Sequence, residues 1–162
     1  MPSPPVSLVR QATRTDLDAI DALETASFDA DRFPRRNLRR MLTGGRTIFL
    51  IAETGGETAG YLALSFRNGA RVSRLYSLAI APSARGKGVG TALIACAMAE
   101  TADRGLRAIR LEVRESNTAA RKLYERCGFT LRGRRESYYG DGEAACLYEA
   151  QADPGAKEGA PL

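Results

Sequence analysis

The sequence predicts a mixed α/β fold in which a central sheet of six to seven strands carries helices on both faces. Residues 47–81 contain three consecutive β-rich runs separated by glycine turns, which predicts an antiparallel meander. The last run stops at Pro82, and a basic, glycine-rich turn leads directly into a helical pattern. The strand that follows this helix completes a βαβ unit, so we expect its two strands to lie parallel.

The predicted elements follow the order β-α-α-β-β-β-α-β-α-β-β. Along the chain they are strand 6–11, helix 13–27, helix 35–42, strand 47–53, strand 58–66, strand 72–81, helix 88–103, strand 108–113, helix 116–126, strand 129–139 and strand 143–149. Threonines at 13 and 15 can cap the first helix, and Gly44-Gly45 ends the strongly basic second one.

Turn chemistry separates the later elements. Thr54-Gly55-Gly56-Glu57 and Arg67-Asn68-Gly69-Ala70 are hairpin signals, and Gly105 closes the third helix. Ser116-Asn117 can cap the fourth helix, with Gly128 just beyond its end. A last hairpin is expected around Gly140-Asp141-Gly142.

Length and composition predict one globular domain. The chain has 162 residues, of which 44% are hydrophobic and 27% charged, enough for a substantial core over residues 6–150. We expect residues 1–5 to be a disordered leader and 151–162, rich in Gly, Pro and Ala, to be a disordered tail. Because no apolar run reaches membrane-span length and no signal peptide is visible, the sequence predicts a soluble, cytoplasmic protein with no membrane partner.

The charged and reactive residues narrow the chemistry. The net charge is +5, and 21 of the 24 basic residues are arginines, which favours anionic partners. Nucleic acid is not expected among them, because the basic residues are spread along the chain and no nucleic-acid motif is present. The sequence has no histidine, which excludes Ser-His and Cys-His nucleophiles, and the three cysteines lack metal-ligand spacing, so no metal is expected.

The glycine-rich turn after the meander is a candidate anion site. Glycines let backbone N–H groups crowd one spot, and a helix N-terminus adds partial positive charge there. The turn lacks a Walker A pattern, because Ala81 stands at its first glycine position and Gly88 replaces the hydroxyl after Lys87. It also fails the dinucleotide pattern, whose third glycine is Thr91 here.

The turn and a later segment together resemble one family. Arg85-x-x-Gly88-x-Gly90 after a strand ending Leu-Ala-Ile-Ala-Pro resembles the acyl-CoA pyrophosphate loop of the GCN5-related N-acetyltransferases (GNAT). The segment Leu111-Glu-Val-Arg-Glu-Ser-Asn-Thr-Ala-Ala-Arg-Lys-Leu-Tyr-Glu-Arg-Cys-Gly-Phe129 is similar to that of bacterial protein N-terminal-alanine acetyltransferases of the ribosomal S18 type. Arg134, Tyr138-Tyr139 and Gly142-Glu143 resemble the closing pattern of that subfamily. The resemblance extends over residues 6–149 and implies a GNAT-type fold.

The resemblance implies an acetyl-CoA-dependent enzyme that acetylates a primary amine. It points to Glu112 as general base and to Tyr124 as the general acid that protonates the departing thiolate. The residues that it implies for acetyl-CoA binding are Leu78, Ala79, Ile80, Arg85, Gly86, Lys87, Gly88, Val89, Gly90, Thr91 and Asn117. It further implies that the strand of Leu78–Ile80 splays from the strand of Glu112.

Each of these residues also has a structural interpretation. Glu112 shares a strand face with Arg110 and Arg114 and can simply pair with them. Tyr124 lies on the apolar side of its helix and can be a core aromatic, while Asn117 can be a helix cap.

The acceptor is the least defined partner. A protein N-terminal α-amine is expected from the subfamily, with a small-molecule amine, a lysine, or a catalytically inactive CoA-binding module as alternatives. Three departures bear on N-terminal alanine: the chain has no Trp, Ala81 replaces a common acidic residue, and residues 35–40 are unusually basic. That basic segment can attract an acidic peptide or nucleic acid, although a solvated helix face is favoured.

Overall fold

The computed structural model describes residues 8–28 and 31–152. The predicted leader 1–5, the first two residues of the predicted first strand, residues 29–30 and the predicted tail from 153 onwards lie outside the described residues. Gln151, at the predicted start of that tail, is instead the last residue of a strand.

In the described residues, seven strands and four α-helices follow one another in the predicted order. They are β1 (Leu8–Gln11), α1 (Leu17–Ser27), α2 (Arg35–Thr43), β2 (Thr47–Thr54), β3 (Glu57–Phe66), β4 (Val72–Ile80), α3 (Val89–Asp103), β5 (Ala108–Arg114), α4 (Thr118–Arg126), β6 (Thr130–Arg135) and β7 (Ala145–Gln151). Short 3₁₀ turns precede α1 at Arg14–Asp16 and α3 at Pro82–Ala84. The mixed α/β prediction is confirmed.

The strands hydrogen-bond in the order β1-β2-β3-β4-β5-β7-β6. β4 and β5 run parallel, as the βαβ prediction requires, with Val72–Arg74 in register with Ala108–Arg110. The β1–β2, β2–β3, β5–β7 and β6–β7 pairs are antiparallel.

The last hairpin differs most from its prediction. The predicted strand 129–139 ends at Arg135, and β7 begins at Ala145 rather than at residue 143. Ser137 has a positive φ of 49°, which breaks an extended strand. The backbone N–H groups of Tyr138 and Tyr139 both donate to the Glu143 carbonyl at 3.1 Å. Residues 136–144 therefore form a compact loop between two shorter strands.

The described chain divides into two compact units. The first contains the described residues up to Ser65 together with Ser77–Ala97, and the second contains Phe66–Tyr76 and the described residues from Met98 onwards. Strand β4 and helix α3 each contribute to both units.

The first unit has a core between the two N-terminal helices and the meander. Its buried members are Leu17, Ile20, Leu23, Leu38, Phe49, Ile51, Tyr61, Ala63 and Ala79. Leu38 is the buried residue of α2, which explains how a helix with four arginines stays attached.

The second unit is built on β5 and β7. The alternate residues Ile109, Leu111 and Val113 of β5 are buried, and Tyr148 of β7 is buried in register with Leu111. The opposite strand face consequently carries the side chains of Ala108, Arg110, Glu112 and Arg114. None of the helices in residues 8–28 and 31–152 has the length and hydropathy of a membrane span.

Candidate active site

The glycine-rich turn of the first unit has the geometry of an anion cradle. Gly86 and Gly88 have positive φ angles of 76° and 81°, which glycine alone adopts at little cost. The turn 85–88 is exposed, whereas Val89 and Gly90 are buried and anchor the start of α3. The first N–H groups of a helix lack partners within it, so this end of α3 offers donors to an anion.

The residues before the turn are held by a close approach of three elements. A Cβ on Gly60 of β3 would lie 2.9 Å from the Ala79 carbonyl oxygen and 3.1 Å from the Val89 side chain. The Ala81 N–H donates to the Ala59 carbonyl at 2.8 Å. Gly60 thus allows β3 to contact the end of β4, where Leu78, Ala79 and Ile80 lie.

Glu112 lies in the second unit, where its partner is not the one expected from spacing. Its Oε1 accepts a hydrogen bond from Nη2 of Arg74 on β4 and another, at 3.3 Å, from the Tyr138 hydroxyl. Arg110 pairs instead with Glu149, and Arg114 pairs with Asp141 and Glu143. The Glu112 side chain is 19% exposed, so it is partly shielded but accessible.

Arg74 remains charged in this setting. Partial burial opposes the charge, but the Glu112 carboxylate and the nearby Tyr76 and Tyr138 hydroxyls raise the pKa of Arg74 above its ordinary value. Its guanidinium lies over the Tyr76 ring, 4.9 Å from the centroid, an arrangement that favours a cation.

Tyr124 is a buried aromatic with an unengaged hydroxyl. It is 6% exposed, and its ring packs edge-on against Phe129 and at a tilt against Tyr148. Its hydroxyl makes no hydrogen bond to another described residue. Burial, with smaller effects from Tyr139 and Cys127, raises the pKa of Tyr124 well above its ordinary value. The hydroxyl therefore keeps its proton at neutral pH.

The loop after β6 is tied to the residues around Glu112. The Arg114 guanidinium lies 4.2 Å from the centroid of the Tyr139 ring and pairs with Glu143, whose Oε2 accepts from the Ser116 N–H at 2.8 Å. These contacts lower the pKa of Glu143, chiefly through Ser116 and then Arg114. The Tyr139 ring also stacks edge-on with Tyr138, which reaches Glu112.

Asn117 caps α4. Its side-chain oxygen accepts from the Ala120 N–H at 3.2 Å, the contact expected of an N-cap. The capping interpretation is thus confirmed, while its contact with CoA stays a prediction.

The structure brings the predicted site residues together in two groups. Leu78, Ala79, Ile80 and the residues from Arg85 to Thr91 belong to the first unit, and Glu112, Asn117 and Tyr124 to the second. The sequence interpretation missed Arg74, because its position opposite Arg110 depends on the β4–β5 register, which local patterns do not reveal.

A second missed cluster lies in the first unit. The Glu24 carboxylate is buried and accepts hydrogen bonds from the Tyr61 hydroxyl, from Ser77 Oγ at 2.6 Å and from the Phe33 N–H at 2.9 Å. Burial, and then the Glu24 charge, raises the pKa of Tyr61. This cluster ties α1 to the sheet and to the segment before α2.

The basic helix α2 has an exposed side of arginines. Arg35, Arg36, Arg39 and Arg40 are all exposed, and Arg35 pairs with Asp18 and Asp21 of α1. The arrangement is compatible with a solvated helix face.

Comparison with known proteins shows the family of this chain. The acetyltransferase (GNAT) family model matches residues 15–129. The chain is 30% identical over 141 residues to a putative ribosomal protein bS18-alanine N-acetyltransferase of Bacillus subtilis, covering 86% of this chain and 91% of the relative.

Two solved structures illustrate the range of acceptors. The ribosomal-protein-S18-alanine N-acetyltransferase of Escherichia coli has a TM-score of 0.80 and 27% identity, covering 90% of this chain and 94% of that one. A nourseothricin acetyltransferase has a TM-score of 0.75 and 26% identity, and the match covers 90% of this chain and 98% of that one.

Proposed function

Because the chain belongs to the acetyltransferase (GNAT) family, we propose that it transfers the acetyl group of acetyl-CoA to a protein N-terminal α-amine. The observation that carries the proposal is the pair of groups in the second unit. Glu112 is a partly exposed carboxylate that can accept a proton, and Tyr124 is a buried residue whose hydroxyl has a proton to give. Amide formation needs one group of each kind.

The proposed reaction is direct attack of the amine on the thioester. Glu112 takes a proton from the acceptor ammonium, and the freed amine attacks the thioester carbonyl to form the C–N bond. Backbone N–H groups near the end of β4 stabilise the oxyanion, a contribution typically worth about 3 kcal/mol. When the C–S bond breaks, Tyr124 donates its proton to the thiolate. The nitrogen of the new amide loses its extra proton to water, which reprotonates the tyrosinate, and Glu112 releases its proton to solvent.

The exposed turn 85–88 and the start of α3 would hold the pyrophosphate of acetyl-CoA. Its backbone donors and the charges of Arg85 and Lys87 suit a diphosphate. Acetyl-CoA supplies the activated acyl group, and the proposal requires no metal.

Two observations support an N-terminal α-amine as acceptor. The Bacillus subtilis relative and the Escherichia coli structure are both named for action on the alanine of a ribosomal protein. An α-amine has an ordinary pKa of about 7.7–8, against about 10.4 for lysine, so one carboxylate deprotonates it more readily near neutral pH.

A small-molecule amine is the second candidate. The likeness to a nourseothricin acetyltransferase supports it, as do the absence of Trp and the presence of Ala81. A lysine acceptor and an inactive CoA-binding module remain further alternatives to be tested in the same assay.

The test is release of free thiol from acetyl-CoA with a panel of amines. The panel contains peptides with free and with blocked N-termini, polyamines and aminoglycosides, and a Glu112→Gln/Tyr124→Phe double variant controls for background hydrolysis. We expect turnover with free N-terminal peptides and none above background in the double variant. CoA binding without turnover on any amine would refute the enzyme proposal, and turnover only on small amines would favour the second candidate.

A further inference from the structure

Three side chains of the second unit form a closed hydrogen-bonded group around Glu112. Nη2 of Arg74 donates both to Glu112 Oε1 and, at 3.2 Å, to the Tyr138 hydroxyl oxygen. The Tyr138 hydroxyl in turn donates to the same Oε1 at 3.3 Å. Arg74 comes from β4, Glu112 from β5 and Tyr138 from the loop after β6, so three segments fix one carboxylate.

Both donors reach the same oxygen of Glu112. Among the described residues, Oε2 has no hydrogen-bond partner. A carboxylate held at one oxygen keeps the other free to accept a proton, and its orientation is set by the donors.

The contacts of Arg74 are unlike those of an ordinary stabilising ion pair. Its Nε is buried and has no partner among the described residues, although Nη2 donates to Glu112 and to Tyr138. A buried donor without a partner costs about 1–3 kcal/mol. Such a local cost is expected at functional sites, where a side chain is oriented for its role and the rest of the fold compensates for the lost stability.

We propose that Arg74 is a positioning residue, which together with Tyr138 holds Glu112 by Oε1 so that Oε2 is the proton-accepting atom. This inference rests on the proposed function, since it assigns the geometry of the proposed base. A free glutamate samples several rotamers, and misplacement of a reacting group by about 1 Å can cost about 100-fold in rate.

The experiment compares kcat and KM in Arg74 variants. For Arg74→Ala we expect kcat to fall by about 30- to 100-fold, while KM for acetyl-CoA changes by less than about threefold. Arg74→Lys should retain intermediate activity. A lysine ammonium can still donate to Oε1 of Glu112, but it lacks the planar, rigid geometry of the guanidinium. Added guanidinium chloride at millimolar concentration should raise the kcat of Arg74→Ala by at least about tenfold.

The matched control is Arg110→Ala. Arg110 is the register neighbour of Arg74 and also pairs with a carboxylate, but with that of Glu149, whereas Glu112 pairs with Arg74. We expect its kcat to stay within about twofold of the wild type and to be unaffected by guanidinium. Circular dichroism melts of each variant identify any loss of folding.

The outcomes separate this inference from the proposed function. If the wild type acetylates amines and folded Arg74→Ala retains its kcat, or if guanidinium does not raise the kcat of Arg74→Ala, the positioning role is wrong while the function stands. If the wild type turns over no amine, both are wrong. Should Arg74→Ala fail to fold, the Arg74→Lys variant decides: full wild-type kcat in that variant would overturn the role.

Discussion

Glu112 and Tyr124 must hold opposite protonation states for the proposed chemistry. Glu112 has to be free to accept a proton, and it presents an oxygen that no described residue occupies. Tyr124 has to carry a proton, and its burial ensures that it does. The two residues therefore suit the two separate proton transfers of the reaction, one from the amine and one to the departing thiolate.

Replacing Glu112 by Gln removes the proposed base and keeps the side-chain size. We expect the rate to fall by about 100-fold at pH 7 and by much less at pH 9, because the α-amine then loses its proton without help. Steady-state kcat/KM against pH measures this, with Glu115→Gln as the control, since Glu115 pairs with Arg134 on the exposed surface. A pH profile with wild-type shape would remove Glu112 as base.

Tyr124→Phe keeps the ring in its aromatic cluster and removes only the hydroxyl. We expect kcat to fall by about tenfold or more, with CoA affinity within about twofold as measured by calorimetry. The pKa of Tyr124 is raised from its ordinary value of 10.0. Ionisation of its hydroxyl should therefore cause no loss of wild-type activity below pH 10. A kcat of Tyr124→Phe equal to that of the wild type would contradict the acid role.

Glu149 offers a test of stability rather than of catalysis. Hydrogen bonds from Arg110, and further attraction from Arg132, lower the pKa of this buried carboxyl below its ordinary value of 4.5. A lowered folded-state pKa stabilises the fold above the ordinary value, and this stability is lost as pH falls through the folded pKa.

We therefore expect Glu149→Gln to cost about 2 kcal/mol at pH 7 and progressively less below pH 4.5. Urea denaturation at pH 7, 5, 4 and 3 measures the difference, with the exposed Glu57→Gln as control. A cost that is independent of pH would show that the charge of Glu149 does not stabilise the fold.

At the scale of elements, the glycine turn and the loop after β6 show what local patterns can predict. The strand, turn and helix around Gly86 and Gly88 were predictable because glycine and proline punctuate the chain there. The loop 136–144 was not, because its shape depends on Arg114 and Glu143, which interact across 29 residues. For the same reason the Arg74–Glu112 pair, 38 residues apart, was invisible to spacing arguments.

The glycine turn can be tested with a matched pair of glycines. Gly88 and Gly56 have similar positive φ angles, 81° and 83°, and a Cβ on either would meet nothing within 4 Å. Alanine at either position should cost about 1–2 kcal/mol of stability through backbone strain. Only Gly88→Ala should also weaken CoA binding, by about tenfold in calorimetry. Equal CoA affinity in the two variants would contradict a pyrophosphate role for the turn.

At the scale of the whole molecule, the order of elements and the parallel β4–β5 pair were predictable from the sequence. The alternation of apolar residues in β5 and the turn signals between strands suffice for that. The assembly of Glu112 with Arg74 and Tyr138 requires the register of the sheet, and the buried Glu24–Tyr61–Ser77 group requires the packing of α1 on β3 and β4. Neither follows from any local stretch of residues.

The identity of the acceptor does not follow from family membership. Family membership defines acetyl transfer, whereas the proteins compared with this chain include enzymes named for ribosomal-protein alanine and for nourseothricin. The chemistry of Glu112 suits an α-amine without excluding other amines, so the acceptor has to be measured.

The most direct measurement is the site of acetylation in a peptide that carries both a free N-terminal alanine and an internal lysine. The wild type and Glu112→Gln are incubated with isotopically labelled acetyl-CoA, and tandem mass spectrometry locates the label. We predict label on the α-amine, almost none on the lysine, and a roughly 100-fold slower reaction in the variant at pH 7. Label on the lysine alone, or on neither amine, would contradict the account.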